Sequence, residues 1–99
     1  MKTFKDLEFK ERDNFIAFQA KMKFDNGYEL SVVAGKGAYC SPRENLTSVD
    51  EYDSFELGVF GPNGDFVTQD FLPGIDDQVV GWQNRGQINA LMLLIQSKK

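Results

Sequence analysis

Histidine is absent from the 99 residues. With it go the commonest general base near neutral pH and the commonest zinc ligand. Cysteine occurs once, at Cys40. No disulfide can close within the chain, and one thiolate does not build a metal site, so a reducing compartment is the expected setting. Basic charge is scarce, with 11 Lys and Arg against 15 Asp and Glu and a formal net charge of −4. Such a chain lacks the phosphate-neutralising footprint of a nucleic-acid binder, so direct DNA binding is not expected, while imitation of a polyanion stays open. No apolar run approaches the roughly 20 residues of a membrane-spanning helix. The opening MKTFKDLEFK is charged throughout and has no signal-peptide core. The expected setting is therefore cytosolic, with no membrane contact.

What is present is strand periodicity. Ile16, Phe18, Ala20, Met22 and Phe24 alternate with Ala17, Gln19, Lys21 and Lys23, and after DNG the apolar set resumes as Tyr28, Leu30, Val32 and Ala34. Period two marks strands with one buried face. Directly paired residues must share a face, which selects a three-residue loop, Asp25-Asn26-Gly27, with Phe24 opposite Tyr28, Met22 opposite Leu30 and Ala20 opposite Val32. Gly27 then takes the left-handed position. The same reasoning applied to Phe55, Leu57 and Val59 before GPNGD predicts a second hairpin around Pro62-Asn63-Gly64, pairing Val59 with Val67, Phe60 with Phe66 and Phe55 with Phe71. The Phe60 and Phe66 rings, on the face opposite Leu57, are expected to pack beneath the helix or a loop rather than stand open.

From Asn84 the period changes. Asn84 and Gln87 have capping-box spacing, and Ile88, Leu91, Met92 and Ile95 recur at helical intervals, which predicts a helix from about Arg85 to Ser97 with Lys98 and Lys99 at the negative end of its dipole. Leu93 and Leu94 widen its apolar stripe, so it is either wedged deeply against the sheet or shared with a second copy in a homodimer. Leu7 and Phe9 suggest a short first strand. Pro73-Gly74 signals a turn, and the adjacent acids Asp76 and Asp77 read as caps, with Asp76 heading a short helical turn before Trp82. The whole reads as one α+β domain, an antiparallel sheet of four to five strands built from two hairpins with one C-terminal helix packed on a face.

Between the hairpins lies GKGAYCSPRENLTSVDEYDS, Gly35 to Ser54. A connection beyond roughly 12–15 residues without regular structure is expected to be functional or disordered. Its first half holds Lys36, Tyr39 and Arg43, its second Glu44, Asp50, Glu51 and Asp53. The first half reads either as an anion-binding loop, with pliant glycines at 35 and 37, or as a solvated loop with local ion pairs. GKG lacks the spacing of a phosphate-binding Walker loop, and the acidic run lacks the spaced ligands of a calcium loop. Cys40 has no histidine to serve as its base, so a catalytic thiol is not expected. Trp82 is either a core-edge residue or a ligand-facing ring.

The strings FDNGYELSVV, YCSPRE, SFELGVF and DDQVVGW resemble, over most of the chain, a group of small bacteriophage accessory proteins. In these a DNGY hairpin is followed by a loop, a FELAV-like strand and a closing helix. This chain departs from that pattern at DDQVVGW, which lacks an isoleucine-threonine lead. The resemblance carries over no functional residue. It implies a phage source and the host cytoplasm as location, and with the missing catalytic groups it points to a binder without cofactor. The first expectation is a non-enzymatic counter-defence protein that blocks a host protein through the acidic side of the loop, Asp50, Glu51 and Asp53, and the open sheet face. The alternative is sequestration of a nucleotide-like messenger by Lys36, Tyr39, Arg43, Trp82 and Arg85.

Overall fold

The computed structural model of the protein describes residues 1–12 and 15–99. Five strands make one antiparallel sheet in chain order: β1 (Lys10–Glu11), β2 (Phe18–Lys23), β3 (Glu29–Ala34), β4 (Phe55–Phe60) and β5 (Val79–Gln83). A one-turn helix α1 (Thr68–Phe71) interrupts the path from β4 to β5, and α2 (Arg85–Gln96) follows β5. The α+β class, the strand number and the C-terminal helix are those expected from the sequence. Among the described residues no helix is long and apolar enough to cross a membrane.

The first hairpin has the expected register. Met22 pairs with Leu30 and Ala20 with Val32, the Phe24 N–H donates to the Tyr28 carbonyl at 2.7 Å, and Gly27 has φ +91°. Asn26 at the tip does more than turn the chain. Its amide donates to the carbonyls of Ile95 and Lys98, both at 2.9 Å, and so ties the hairpin tip to the end of α2 and the residues after it. The capping box at the other end is also formed, with Asn84 and Gln87 exchanging side-chain to backbone bonds of 2.8 Å.

The second hairpin starts as expected and then breaks off. Gly64 has φ +90°, Phe60 bridges Phe66, and the Val67 N–H donates to the Val59 carbonyl at 2.9 Å. The expected pairing of Phe55 with Phe71 is not made; Phe55 faces Gln83 instead. The Thr68 hydroxyl explains the stop. It accepts the Val59 N–H at 2.8 Å, in the place a further ladder carbonyl would take, and releases the chain into α1. Phe71 then packs edge-on against Tyr28, with centroids 5.5 Å apart, and β5 takes over the freed flank of β4. Thr68 is fully buried. Thr68→Val keeps its shape but strands a buried N–H, so it is expected to cost about 1–3 kcal/mol in urea unfolding, while Thr68→Ser retains most of the stability.

Two smaller expectations are corrected. The first strand is not at Leu7–Phe9 but at Lys10–Glu11; Phe4–Asp6 form a 3-10 turn, and Phe4 and Phe9 turn their rings onto Phe55 at 5.2 and 5.7 Å. Asp76 heads no helix, because residues 76–78 are bends leading into β5 and the only short helical turn in this connection, α1, precedes Pro73-Gly74. Asp77 instead accepts the N–H of Gln78 at 2.7 Å.

The core lies between the sheet and α2. Leu30, Val32, Phe55, Leu57 and Val59 meet Ile88, Leu91, Met92 and Ile95 there, all of them buried. Each large apolar side chain so placed contributes about 1.5–3 kcal/mol. The opposite face of the sheet is not covered by α2. On it Phe60 and Phe66 lie with centroids 4.4 Å apart, and Phe66 is 46% exposed. Of the expected covers, the helix or a loop, the helix is excluded because α2 occupies the other side, and Phe66 stays about half exposed. The widened helical stripe is likewise only half used, with Leu93 44% and Leu94 49% exposed.

Candidate functional site

The long connection between β3 and β4 is folded, not structureless. Gly35 has φ +150°, and a side chain there would place Cβ 2.5 Å from the Ala17 nitrogen; at Gly37 it would meet the Phe15 Cβ at 2.6 Å. The glycines serve close packing, which corrects the reading of a pliant anion loop. Ala38, Cys40 and Tyr52 are buried beneath the connection. The Tyr52 hydroxyl donates to the Glu44 carbonyl at 2.6 Å and accepts the Leu46 N–H at 3.0 Å, pinning the segment from inside. Burial pushes this phenol above its ordinary range. Burial does the same to the Cys40 thiol, which lies 3.3 Å from the carbonyls of Gly35 and Pro42, the opposite of an activated nucleophile.

Three of the residues singled out from sequence come together. The Tyr39 and Trp82 rings lie 5.2 Å apart at 31°, and the Arg43 guanidinium stands 5.0 Å from the Tyr39 centroid. Tyr39 is 50% and Trp82 54% exposed, so Trp82 is not a core-edge residue. Two backbone bonds set the stack. The Trp82 N–H donates to the Tyr39 carbonyl at 2.8 Å, and the Tyr39 N–H donates to Glu56 Oε1 at 3.0 Å. Trp82 has φ +54°, a left-handed conformation that costs an L-residue roughly 1–2 kcal/mol. At this point the ladder between β4 and β5 shifts register between Phe55 and Leu57, and the bulge re-aims the indole out of the pleat and onto Tyr39.

No protein-family model, curated protein or solved structure matches this chain. What the site can do therefore rests on its own geometry.

The other candidates are not part of the stack. Lys36 lies over the Phe15 ring, its Nζ 5.5 Å from the centroid. Arg85 is turned inward. Its guanidinium donates to the carbonyls of Tyr52 at 2.7 Å and Val49 at 3.0 Å and stands 5.3 and 5.1 Å from the Phe4 and Phe55 centroids. Two of its N–H groups thus join the connection to α2, which gives Arg85 a structural role in place of the ligand contact expected of it. Glu51 is also occupied, its carboxylate accepting from the Thr47 and Ser48 N–H groups at 3.1 and 2.9 Å at the head of a 3-10 turn, Val49–Glu51. Asp50 and Asp53 stay exposed beside it.

The Phe60 and Phe66 pair, together with Glu56, Val33 and Val79, which are not among the site residues expected from sequence, extends the surface. Glu56, on the open face, orients Tyr39, and next to it a shallow groove is lined by Ser31, Val33, Phe60, Phe66 and Val79. The available signal was the odd-numbered Val33, an apolar residue at the otherwise polar positions of β3. The resulting surface is apolar and aromatic, with the Arg43 cation against Tyr39, the Glu56 carboxylate beside it and Lys21 opposite Ser31. It offers contact area and directional bonds, and it brings no nucleophile next to a base.

Proposed function

We propose that the protein is a non-enzymatic binder that occludes a partner protein with the open face of its sheet, anchored by Tyr39, Trp82 and Arg43. The carrying observation is the half-exposed Tyr39–Trp82 stack, held by a tryptophan in left-handed backbone conformation. A fold stores strain of this kind at sites of use more often than in scaffold. Tyr, Trp and Arg are also the side chains in which binding energy concentrates at protein interfaces, each burying large area at little rotamer cost. The resemblance to phage accessory proteins makes a host defence protein the expected class of partner.

The nucleotide-messenger alternative has less support. Its grip drew on Lys36, Tyr39 and Arg43, with Trp82 and Arg85 as further contacts; Lys36 lies over Phe15 and Arg85 is bonded to the Val49 and Tyr52 carbonyls, which leaves Arg43 as the cation at the rings. The two rings also lie against each other and leave no slot for a base between them.

The test is affinity capture from host lysate with matched variants, alongside thermal shifts with linear and cyclic nucleotides. Trp82→Gly removes the anchor and relieves its backbone, so it is expected to hold or raise the melting temperature while lowering capture more than about tenfold. Tyr39→Ala should lower capture likewise. Capture untouched by both substitutions, or a melting temperature raised by a nucleotide, would overturn the reading in favour of another surface or of the small ligand.

A further inference from the structure

The outward side of α2 has properties that neither the core nor the proposed binding face uses. Leu93 and Leu94 are about half exposed, Gly86, Gln87, Ala90 and Ser97 are exposed with them, and no charged residue occurs between Arg85 and Lys98. A helix that faces only water carries charge on its outer side. In a chain of net charge −4, an uncharged patch is also where two copies meet with least mutual repulsion.

The exposed charges beside the two ends of this patch are mainly of opposite sign, the partly buried Arg85 standing apart from them. At the start of α2, Arg85 binds the carbonyls of Val49 and Tyr52, which fixes the exposed acids Asp50 and Asp53 beside that end. At the other end stand Lys98 and Lys99, with the Lys98 carbonyl held by Asn26. Lys2 and Lys23 line a cleft of about 400 Å³ next to Gln96 at this same end, together with Asp25. The 12 residues of α2 separate the ends by about 18 Å at 1.5 Å per residue.

We infer that the protein forms an isologous homodimer in which two α2 helices pack antiparallel through Ala90, Leu93 and Leu94. Twofold symmetry then brings the lysines of each copy to the Asp50 and Asp53 of the other, so one contact is complemented twice. Pairing about the level of Met92, near the centre of the exposed stripe from Gly86 to Ser97, sets the small Ala90 opposite Leu94, the small-against-large fit that close helix packing needs. A parallel pairing would set acid against acid and lysine against lysine. Because α2 covers the side of the sheet away from the Tyr39–Trp82 stack, the dimer presents its two stacks outward and is bivalent. The dimer itself does not depend on the proposed binding function, since its test reads mass alone.

The experiment is sedimentation equilibrium of the full chain from about 1 to 100 µM, where mass action reveals a moderate dimer. The expected mass is twice the 11.2 kDa of one chain. Leu93→Glu with Leu94→Glu alters only exposed positions; it should raise the dimer dissociation constant at least about a hundredfold and leave the melting temperature unchanged at concentrations low enough that both proteins are monomeric. Lys98→Glu with Lys99→Glu should weaken the dimer about tenfold at low salt, and adding Asp50→Lys with Asp53→Lys should restore it. A single-chain mass throughout that range, or a dimer indifferent to the leucine substitutions, overturns the inference and leaves the patch to a different occupant. Failure of the exchanged charges to restore association overturns the antiparallel arrangement.

Discussion

Arg85→Ala is expected to lower the free energy of unfolding by about 3 kcal/mol, a large share of the stability of a domain this size. The guanidinium makes two hydrogen bonds, to Tyr52 and Val49, and faces the Phe4 and Phe55 rings at 5.3 and 5.1 Å. Charge-assisted bonds of this kind contribute about 1.5–3 kcal/mol each when sheltered, and a cation over an aromatic ring adds about 0.5–2; partial exposure of the side chain brings the sum down to the figure given. Truncation also leaves two carbonyls short of a donor. Arg85→Lys should recover less than half, since one ammonium does not span both carbonyls and lies less flatly on the rings. The readout is the urea midpoint at constant slope, with amide exchange rising across residues 44–52 before the core opens. If Arg85 were instead a ligand contact, Arg85→Ala would leave stability alone and change only binding, and that result would refute the structural role.

The contrast between Arg85 and Asn84 shows which kind of information the sequence carries. The Asn84–Gln87 box and the Asp25-Asn26-Gly27 turn were legible because each partner lies within a few residues of the other, so composition and spacing determine the geometry. Arg85 sits one residue further on, in a helical first turn where a cation normally faces solvent. Its partners are carbonyls more than thirty positions away, and carbonyls have no sequence signature.

The misread second hairpin has a similar cause. Val59 opposite Val67 and Phe60 opposite Phe66 satisfied local alternation and formed, but the next step depended on whether a ladder carbonyl or the Thr68 hydroxyl met the Val59 N–H. Once the hydroxyl took that bond, the flank of β4 was open to Val79–Gln83, a segment whose adjacent valines and glycine give no period-two signal. At the site, Tyr39 and Arg43 were identifiable as candidate contacts in the long connection, while Trp82 read either as a core-edge residue or as a ligand-facing ring. The meeting of the three was not identifiable, because it depends on that same placement of β5.

Gly81 is where fold and site are joined, and Gly81→Ala is expected to damage both. A Cβ there would stand 2.4 Å from the Tyr39 Cβ and 2.9 Å from its carbonyl oxygen. Tyr39 has little room to yield, being held through its carbonyl by Trp82 and through its N–H by Glu56. One added methyl must therefore push the connection off the sheet, at about 1–3 kcal/mol, and part the Tyr39 and Trp82 rings. Trp82 is the only tryptophan, so its emission reports the separation directly, and capture of the partner should fall more than about tenfold. Gly86→Ala supplies the matched comparison. Its Cβ would meet nothing closer than Asn84 Oδ1 at 3.4 Å, and in the first turn of α2 the same methyl should be neutral or stabilise by up to about 1 kcal/mol. If the two substitutions instead behaved alike, glycine at position 81 would matter for backbone freedom and not for the approach of Tyr39. The tryptophan's left-handed conformation would then lose its explanation as the device that turns an edge strand into an aromatic anchor.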